Sequence, residues 1–263
     1  MKIAVCSSTQ FGYRCIRDGL LGLKDVELVG ILTTPREINI SYSEKPVRLY
    51  THAKFKKLAK RADCELVKLS GKITIDKYLI PIEKWKPDLI LILGWYYIIP
   101  RKIRESIPLG CIGIHASLLP RYRGGAPINW AIINGEKETG ITLFYIESGV
   151  DTGDIVAQEK YPIKDSDTCA TIYNKATNAS IEILKKYIPL IAINKAPRIK
   201  QDENEAFYVS QRNPEDGLID WHWGAKRIKN FIRAQTKPYA GAFTYIQGKK
   251  VIIWDADIEE QNK

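Results

Sequence analysis

The sequence predicts an α/β protein: a doubly wound, mostly parallel Rossmann-like sheet with a small C-terminal α+β appendage. Three observations predict it. Short apolar runs alternate with segments of helical spacing through the first half of the chain, the order expected of strands joined by crossover helices. Asp88–Leu93 is almost continuously apolar, as in a strand covered on both faces. Polar loops close several of these runs, and ligands of such sheets bind beyond the carboxyl ends of the strands. The expected organisation is a main domain over residues 1–198 and a smaller one over 199–263.

In chain order, Lys2–Cys6 is a short β-rich run ending in Ser7-Ser8-Thr9, and a helix is expected over Gly12–Leu23. Val26–Leu32 is a second strand, closed by Thr33-Thr34-Pro35, and Arg36–Arg48 reads as an irregular polar loop. Thr51–Arg61 has helical spacing with a basic face, Cys64–Leu69 is a third strand, and Ile75–Trp85 is a helix broken by Pro81. Gly140–Glu147 and Ile155–Tyr161 read as strands. Ser166 or Asp167 caps a long helix running to about Ala192, and Pro197–Glu205 reads as a polar linker. The appendage holds a loop at Arg212–Gly217, an aromatic stretch at Trp221-His222-Trp223 and a basic helix over Ala225–Ala234. It closes with a hairpin, Ala242–Ile246 and Val251–Trp254.

Composition sets outer limits. The apolar share of 45% and the charged share of 27% are those of an ordinary globular chain of 263 residues. A net charge of +10 favours acidic partners, although scattered lysines on a solvated surface are the more common reason for such a charge. The cysteines (Cys6, Cys15, Cys64, Cys111 and Cys169) show no zinc or disulfide spacing, which points to a reducing, cytoplasmic compartment. No signal-peptide layout is visible, and no apolar run approaches the ~20 residues of a membrane span. No metal site is expected.

Two loops concentrate the chemistry. His115 follows an apolar strand and precedes a turn dense in Gly, Pro and Arg. Histidine exchanges protons near neutral pH, and a carboxylate orients an imidazole, so Asp151 in Gly149–Asp154 is its natural partner. A satisfied core histidine is the plain alternative. His52 reads as a surface residue and His222 as a packing or hydrogen-bonding one. Arg121 and Arg123 beside Gly124-Gly125 suit a carboxylate or phosphate, as would any solvated turn. Ser8 and Thr9 start a helix and suit an anion there, with simple capping the stronger reading. Ser7–Gly12 is not a dinucleotide fingerprint. From the residues alone the reading stops at proton-transfer chemistry on an α/β scaffold.

His115–Gly124, Ala126-Pro127, Glu138–Thr142 and Asp151-Thr152-Gly153-Asp154 together resemble the 10-formyltetrahydrofolate-dependent formyltransferase family. The resemblance extends through Arg212–Trp221 and Ile232–Phe243, and is weakest over Arg36–Pro87. It implies transfer of a formyl group from 10-formyltetrahydrofolate to an amine through a tetrahedral oxyanion, with His115 as base and Asp151 orienting it. It also implies a cofactor set of Gly94, Trp95, Tyr96, Tyr97, Ser117, Leu118, Leu119, Arg123, Gly124, Val150 and Asp154. The implied substrate set is Ser8, Thr9, Arg121, Tyr122 and Gly125, with further sugar contacts in Arg36–Arg48 and the Trp95–Tyr97 region.

Arg123–Trp130 and Ile219–His222 look closer to the branch that formylates nucleotide-linked (dTDP- or UDP-) amino sugars. Methionyl-tRNA formyltransferases carry a further C-terminal barrel, for which a chain ending at Lys263 leaves no room. Nucleic acid and membrane are therefore not expected as partners, and a homodimer through the hairpin is. A methionyl-tRNA enzyme without the barrel is the alternative. The family's Asn two residues before the His is Gly113 here, and losing one oxyanion donor costs about 3 kcal/mol of barrier. Three readings of Gly113 stand open: water or a backbone N–H replaces the donor, the glycine was introduced by substitution, or the protein binds its ligands and reacts poorly.

Overall fold

The computed structural model describes residues 1–39, 45–71 and 73–259. The strands are β1 (Lys2–Cys6), β2 (Glu27–Thr33), β3 (Glu37–Ile38), β4 (Val47–Arg48), β5 (Glu65–Lys68), β6 (Leu89–Ile92), β7 (Cys111–His115), β8 (Arg123–Gly124), β9 (Glu138–Tyr145), β10 (Ile155–Pro162), β11 (Tyr208–Val209), β12 (Ala242–Ile246) and β13 (Lys249–Ile253). The helices are α1 (Gln10–Arg14), α2 (Lys56–Arg61), α3 (Ile75–Trp85), α4 (Arg101–Ser106), α5 (Pro127–Ile133), α6 (Cys169–Ala192) and α7 (Ala225–Gln235).

The expected α/β fold is present. A seven-stranded sheet runs β10-β9-β7-β6-β1-β2-β5. Its β1/β2, β1/β6, β2/β5 and β6/β7 pairs are parallel, and β7/β9 is antiparallel. Leu89, Ile90 and Leu91 are all essentially inaccessible to solvent, which is why the β6 run is apolar without alternation. β1 is flanked by β2 on one side and β6 on the other, so chain direction across the sheet reverses there. The loops after β1 and β6 open at that switch point.

Several elements depart from expectation for identifiable reasons. The helix after β1 is α1 followed by a π-helical stretch, Cys15–Leu20. α2 begins only at Lys56, because His52 pairs with Thr9 across an isolated bridge and its Nε2 lies 3.0 Å from the Thr34 carbonyl. His52 is thus half-buried rather than a surface residue. Pro81 lies inside α3 without ending it, since Tyr78, Ile82 and Trp85 bury one helix face. α4 and α5 had no sequence expectation, and α5 opens with Pro127 in its first turn. Part of the expected Arg36–Arg48 loop is an antiparallel ribbon of β3 and β4; its positions 40–44 lie outside the described residues.

The chain divides into two compact units that do not follow the expected 1–198 and 199–263 boundary. One comprises 1–115, 142–158 and 177–201; the other comprises 116–141, 159–176 and 202–263. The reason lies in bonds within the second unit. β8 pairs with β11, the Asn129 amide donates to the Ala234 carbonyl at 2.5 Å, and Arg233 Nη1 donates to the Asp167 carbonyl at 2.7 Å. These draw the segments after His115 and after Gln158 into the same unit as the C-terminal residues. The expected hairpin is present as β12 and β13. Among the described residues, no helix is long and apolar enough to cross a membrane, and no cluster of three or more His, Cys, Asp or Glu is placed to hold a metal.

Candidate active site

Strand β7 carries His115 to its carboxyl end, opposite Thr142 of β9, where the ring is buried at 9% exposure. The loop after β9 brings back Asp151, whose Oδ2 lies 3.4 Å from His115 Nδ1. This is ion-pair distance, slightly longer than a tight hydrogen bond. Both side chains belong to the first compact unit. Facing a carboxylate favours the proton on Nδ1.

The Asp loop is tightly shaped. Asp151 has φ +56°, a left-handed conformation that costs a non-glycine residue on the order of 1 kcal/mol. Gly153 is required two residues later, because a Cβ there would sit 1.8 Å from the Tyr145 carbonyl oxygen. Asp154 accepts from Arg198 Nε at 3.2 Å, and the Arg198 guanidinium lies 3.9 Å from the Tyr145 ring centroid. Val150 is 56% exposed.

Gly113 sits on the same face of β7 as His115, two residues earlier. A Cβ there would meet Ile146 Cδ1 at 2.7 Å and Phe144 Cε1 at 3.4 Å. The nearest obstacle is the tip of a half-buried, rotatable side chain.

The loop after β6 presents Gly94 and half-buried Trp95, Tyr96 and Tyr97. The Trp95 and Tyr97 rings meet edge to face at 5.7 Å, and Trp95 Nε1 donates to the Tyr78 hydroxyl at 3.1 Å. Burial pushes both the Tyr78 and Tyr97 phenols up, so they stay neutral donors. Rigid aromatic walls at a sheet switch point fit a flat heteroaromatic ring.

Ser8 and Thr9 are occupied within the fold. The Ser8 hydroxyl lies 2.7 Å from that of Thr34, and Thr9 Oγ1 accepts from the Gly12 N–H at 3.3 Å as the cap of α1. Capping is therefore the role the geometry gives Thr9.

The second unit holds Ser117–Gly125. Ser117 donates to the Arg121 carbonyl at 2.7 Å, and Leu119 is buried. Leu118 and Gly125 are half-buried. Arg121 is half-exposed and pairs with Glu136 at 2.8 Å, which also accepts from the buried Tyr122 hydroxyl. Arg123 is fully buried. Its guanidinium forks onto both Glu203 oxygens at 2.7 and 2.8 Å and stacks on Tyr208, while Gly124 pairs with Val209. The Glu203 hydrogen bond raises the Arg123 pKa and Arg123 lowers that of Glu203, so this fork is a structural tie rather than an open anion receptor.

The remaining candidates separate cleanly. Burial pushes all five thiols up, Cys64 to about 11 and Cys111 and Cys169 to about 12, so none is a ready thiolate nucleophile at neutral pH. His222 is almost fully exposed and pairs with Asp220 at 2.9 Å, so it hydrogen-bonds without packing. The residue that sequence reasoning missed is Gln201. Its side-chain amide donates to the carbonyls of Asp151 and Gly153, both at 2.8 Å. A single amide in a polar linker carries no signal of a contact to a loop fifty positions earlier.

Comparison with known proteins gives a consistent picture. Residues 24–188 match the formyl transferase family and residues 212–263 match the formyl transferase C-terminal domain. The bifunctional polymyxin resistance protein ArnA of Wigglesworthia glossinidia brevipalpis is 42% identical over 182 residues, covering 69% of this chain and 28% of that protein. A methionyl-tRNA formyltransferase of Alkaliphilus oremlandii is 36% identical over 260 residues, covering 99% of this chain and 81% of its own. The chain thus spans well under a third of the first relative and 59% of another methionyl-tRNA formyltransferase, from Syntrophus aciditrophicus. Among solved structures, a 4-N formyltransferase from Francisella tularensis superposes with a TM-score of 0.74 at 23% identity over 98% of both chains. The N-formyltransferase from Helicobacter canadensis, solved with folinic acid and dTDP-3-aminofucose, gives 0.66 at 21% identity over 96% of this chain and 86% of that one. At these identities the likeness to solved structures is one of fold.

Proposed function

Because this chain belongs to the formyl transferase family, we propose that it moves a formyl group from 10-formyltetrahydrofolate to the amine of a nucleotide-linked amino sugar. The observation that carries the chemistry is the pair of buried His115 and half-buried Asp151, 3.4 Å apart at the carboxyl end of the sheet. A protonated amine is no nucleophile, and the proton it sheds on attack needs an acceptor. His115 Nε2 takes that proton while Asp151 holds the ring through Nδ1 and stabilises the imidazolium that results. Bound 10-formyltetrahydrofolate would supply an activated formyl carbon; as the new C–N bond forms, the bond from that carbon to N10 breaks, tetrahydrofolate leaves, and the proton held by His115 passes to the departing nitrogen. Trp95, Tyr96 and Tyr97 would hold its flat ring, and Val150 and Asp154 lie in the loop that also carries Asp151.

The sugar acceptor is supported by the resemblance at Arg123–Trp130 and Ile219–His222. The full-length likeness to a methionyl-tRNA formyltransferase favours a second reading, in which the acceptor is the amine of a charged initiator tRNA. Five free cysteines suit a cytoplasmic enzyme. Exposed Tyr245, Ile246, Ile252 and Trp254 on the hairpin suit a homodimer contact.

Purified protein incubated with 10-formyltetrahydrofolate and a panel of dTDP- and UDP-amino sugars is read by mass spectrometry for a formylated product. Formylated sugar in wild type, reduced about a hundredfold in Asp151→Asn, is the expected result. Formylation of charged tRNA alone, with salt-sensitive binding, selects the second reading. No product with any acceptor overturns both.

A further inference from the structure

Asp151 reaches His115 from the loop between β9 and β10. The residue is left-handed at φ +56°, and the neighbouring Gly149 and Val150 are exposed. The loop is tied to a strap at residues 198–201, six residues beyond the end of helix α6 at Ala192. Ile199 and Ile155 exchange two backbone hydrogen bonds, at 2.7 and 2.9 Å. Arg198 lies over Tyr145 and donates to Asp154. Gln201 then donates to the carbonyls of Asp151 and Gly153, each at 2.8 Å.

We propose that Gln201 is a positioning residue for the formyl-transfer base, one whose side-chain amide sets the peptide planes that aim the Asp151 carboxylate at His115 Nδ1. The physical argument is geometric. One amide nitrogen carries two protons, and both are directed at carbonyls that bracket the left-handed turn. Pinning the Asp151 carbonyl fixes the orientation of its Cα–Cβ bond, and with it the carboxylate. Without that pin, Asp151 relaxes toward the ordinary conformations that a non-glycine residue prefers. The carboxylate then swings from Nδ1, and the imidazole loses the partner that selects its tautomer. In this assignment Gln201 acts through the backbone of the Asp151 loop. The assignment rests on the proposed role of His115 as base, and its test includes a readout that needs no substrate.

That readout is the ring 15N shift of His115 in neutral imidazole form, on the whole protein with no ligand added. The chain has three histidines, so the signal is assigned by substituting each in turn. Wild type is expected to show the proton on Nδ1. Gln201→Ala, and Gln201→Glu with a carboxylate facing two carbonyls, are expected to shift the ring toward a mixture of tautomers. In turnover, kcat is expected to fall roughly tenfold to a hundredfold, as for a misplacement near 1 Å, with KM for folate and for the amine acceptor within about twofold.

A residue that only stabilises the fold would lower the melting temperature and leave the tautomer of the still-folded protein in place. Folded variants with wild-type tautomer and kcat overturn the assignment. So does loss of the fold in both variants, which would make Gln201 a structural residue. An altered tautomer in a protein that formylates no acceptor keeps the positioning role and overturns only the proposed reaction.

Discussion

Replacing Gly113 by Asn tests whether the site lacks an oxyanion donor. Residues 113 and 115 share a face of β7, so an Asn side chain would enter the site beside the His115 ring. The backbone accepts the change, since Gly113 is not among the residues with positive φ. Space is the remaining question. The new Cβ would come within 2.7 Å of Ile146 Cδ1 and 3.4 Å of Phe144 Cε1, so Ile146 must rotate aside. Overpacking of this kind costs about 1–3 kcal/mol, and removing a glycine from a strand returns roughly 0.5–1 kcal/mol. The net is about 1 kcal/mol, a fall in melting temperature of roughly 3 °C. Against this, a donor placed on the developing oxyanion lowers the barrier by about 3 kcal/mol, or on the order of a hundredfold in kcat. Steady-state formyl transfer, followed by mass spectrometry alongside thermal unfolding, checks both numbers. A variant that melts within a few degrees of the parent and binds both substrates normally, yet shows unchanged kcat, refutes the reasoning. The donor would then come from elsewhere in the native site.

Two other substitutions address separate parts of the argument. Gly153→Ala would place a methyl 1.8 Å from the Tyr145 carbonyl oxygen and so displace the Asp151 loop. An expected drop in kcat of about a hundredfold with unchanged circular dichroism checks this, and full activity would show the loop to be tolerant. Asp167 tests linkage to pH. Burial raises its pKa, but bonds from Lys175, the Lys164 N–H and Thr171 outweigh burial and leave it below the ordinary carboxylate value. A lowered folded pKa adds stability at neutral pH that disappears as pH falls through that value. Asp167→Asn is therefore expected to melt below the parent at pH 7, with the gap closing as pH falls below the ordinary carboxylate range; a gap independent of pH would contradict this.

Most of the sheet was legible in the residues. Apolar runs of strand length, bounded by polar and glycine-rich turns, mark β1, β2, β5, β6, β9 and β10 to within a residue or two. Burial on both faces leaves little choice of side chain in β6, where Leu89, Ile90 and Leu91 are all essentially inaccessible to solvent. α4 and α5 escaped notice because they are short, six and seven residues, which is too few turns to set a period. α2 was overextended because helical spacing continues back through His52, where a bridge to Thr9 wins over local propensity. The compact units cut the chain differently from the expected division for a related reason: residues 116–141 are drawn toward the C-terminal segment by hydrogen bonds between positions about a hundred apart, such as Asn129 to Ala234.

For the site, sequence by itself determined the residue types proposed to do the chemistry. A histidine at a strand end, an aspartate on a strand-fed loop and a glycine two residues before the histidine are all readable, because each is placed by a local pattern. Only the tertiary structure decided what those residues and their neighbours are free to do. Arg123, promising beside two glycines, is buried and taken by Glu203, and Thr9 is taken by the helix it caps. Gln201, unremarkable in its linker, holds the aspartate loop. The physical reason is that hydrogen bonds and ion pairs depend on distances across the fold. Residues 80 or 50 positions apart meet only when the sheet has brought their loops together.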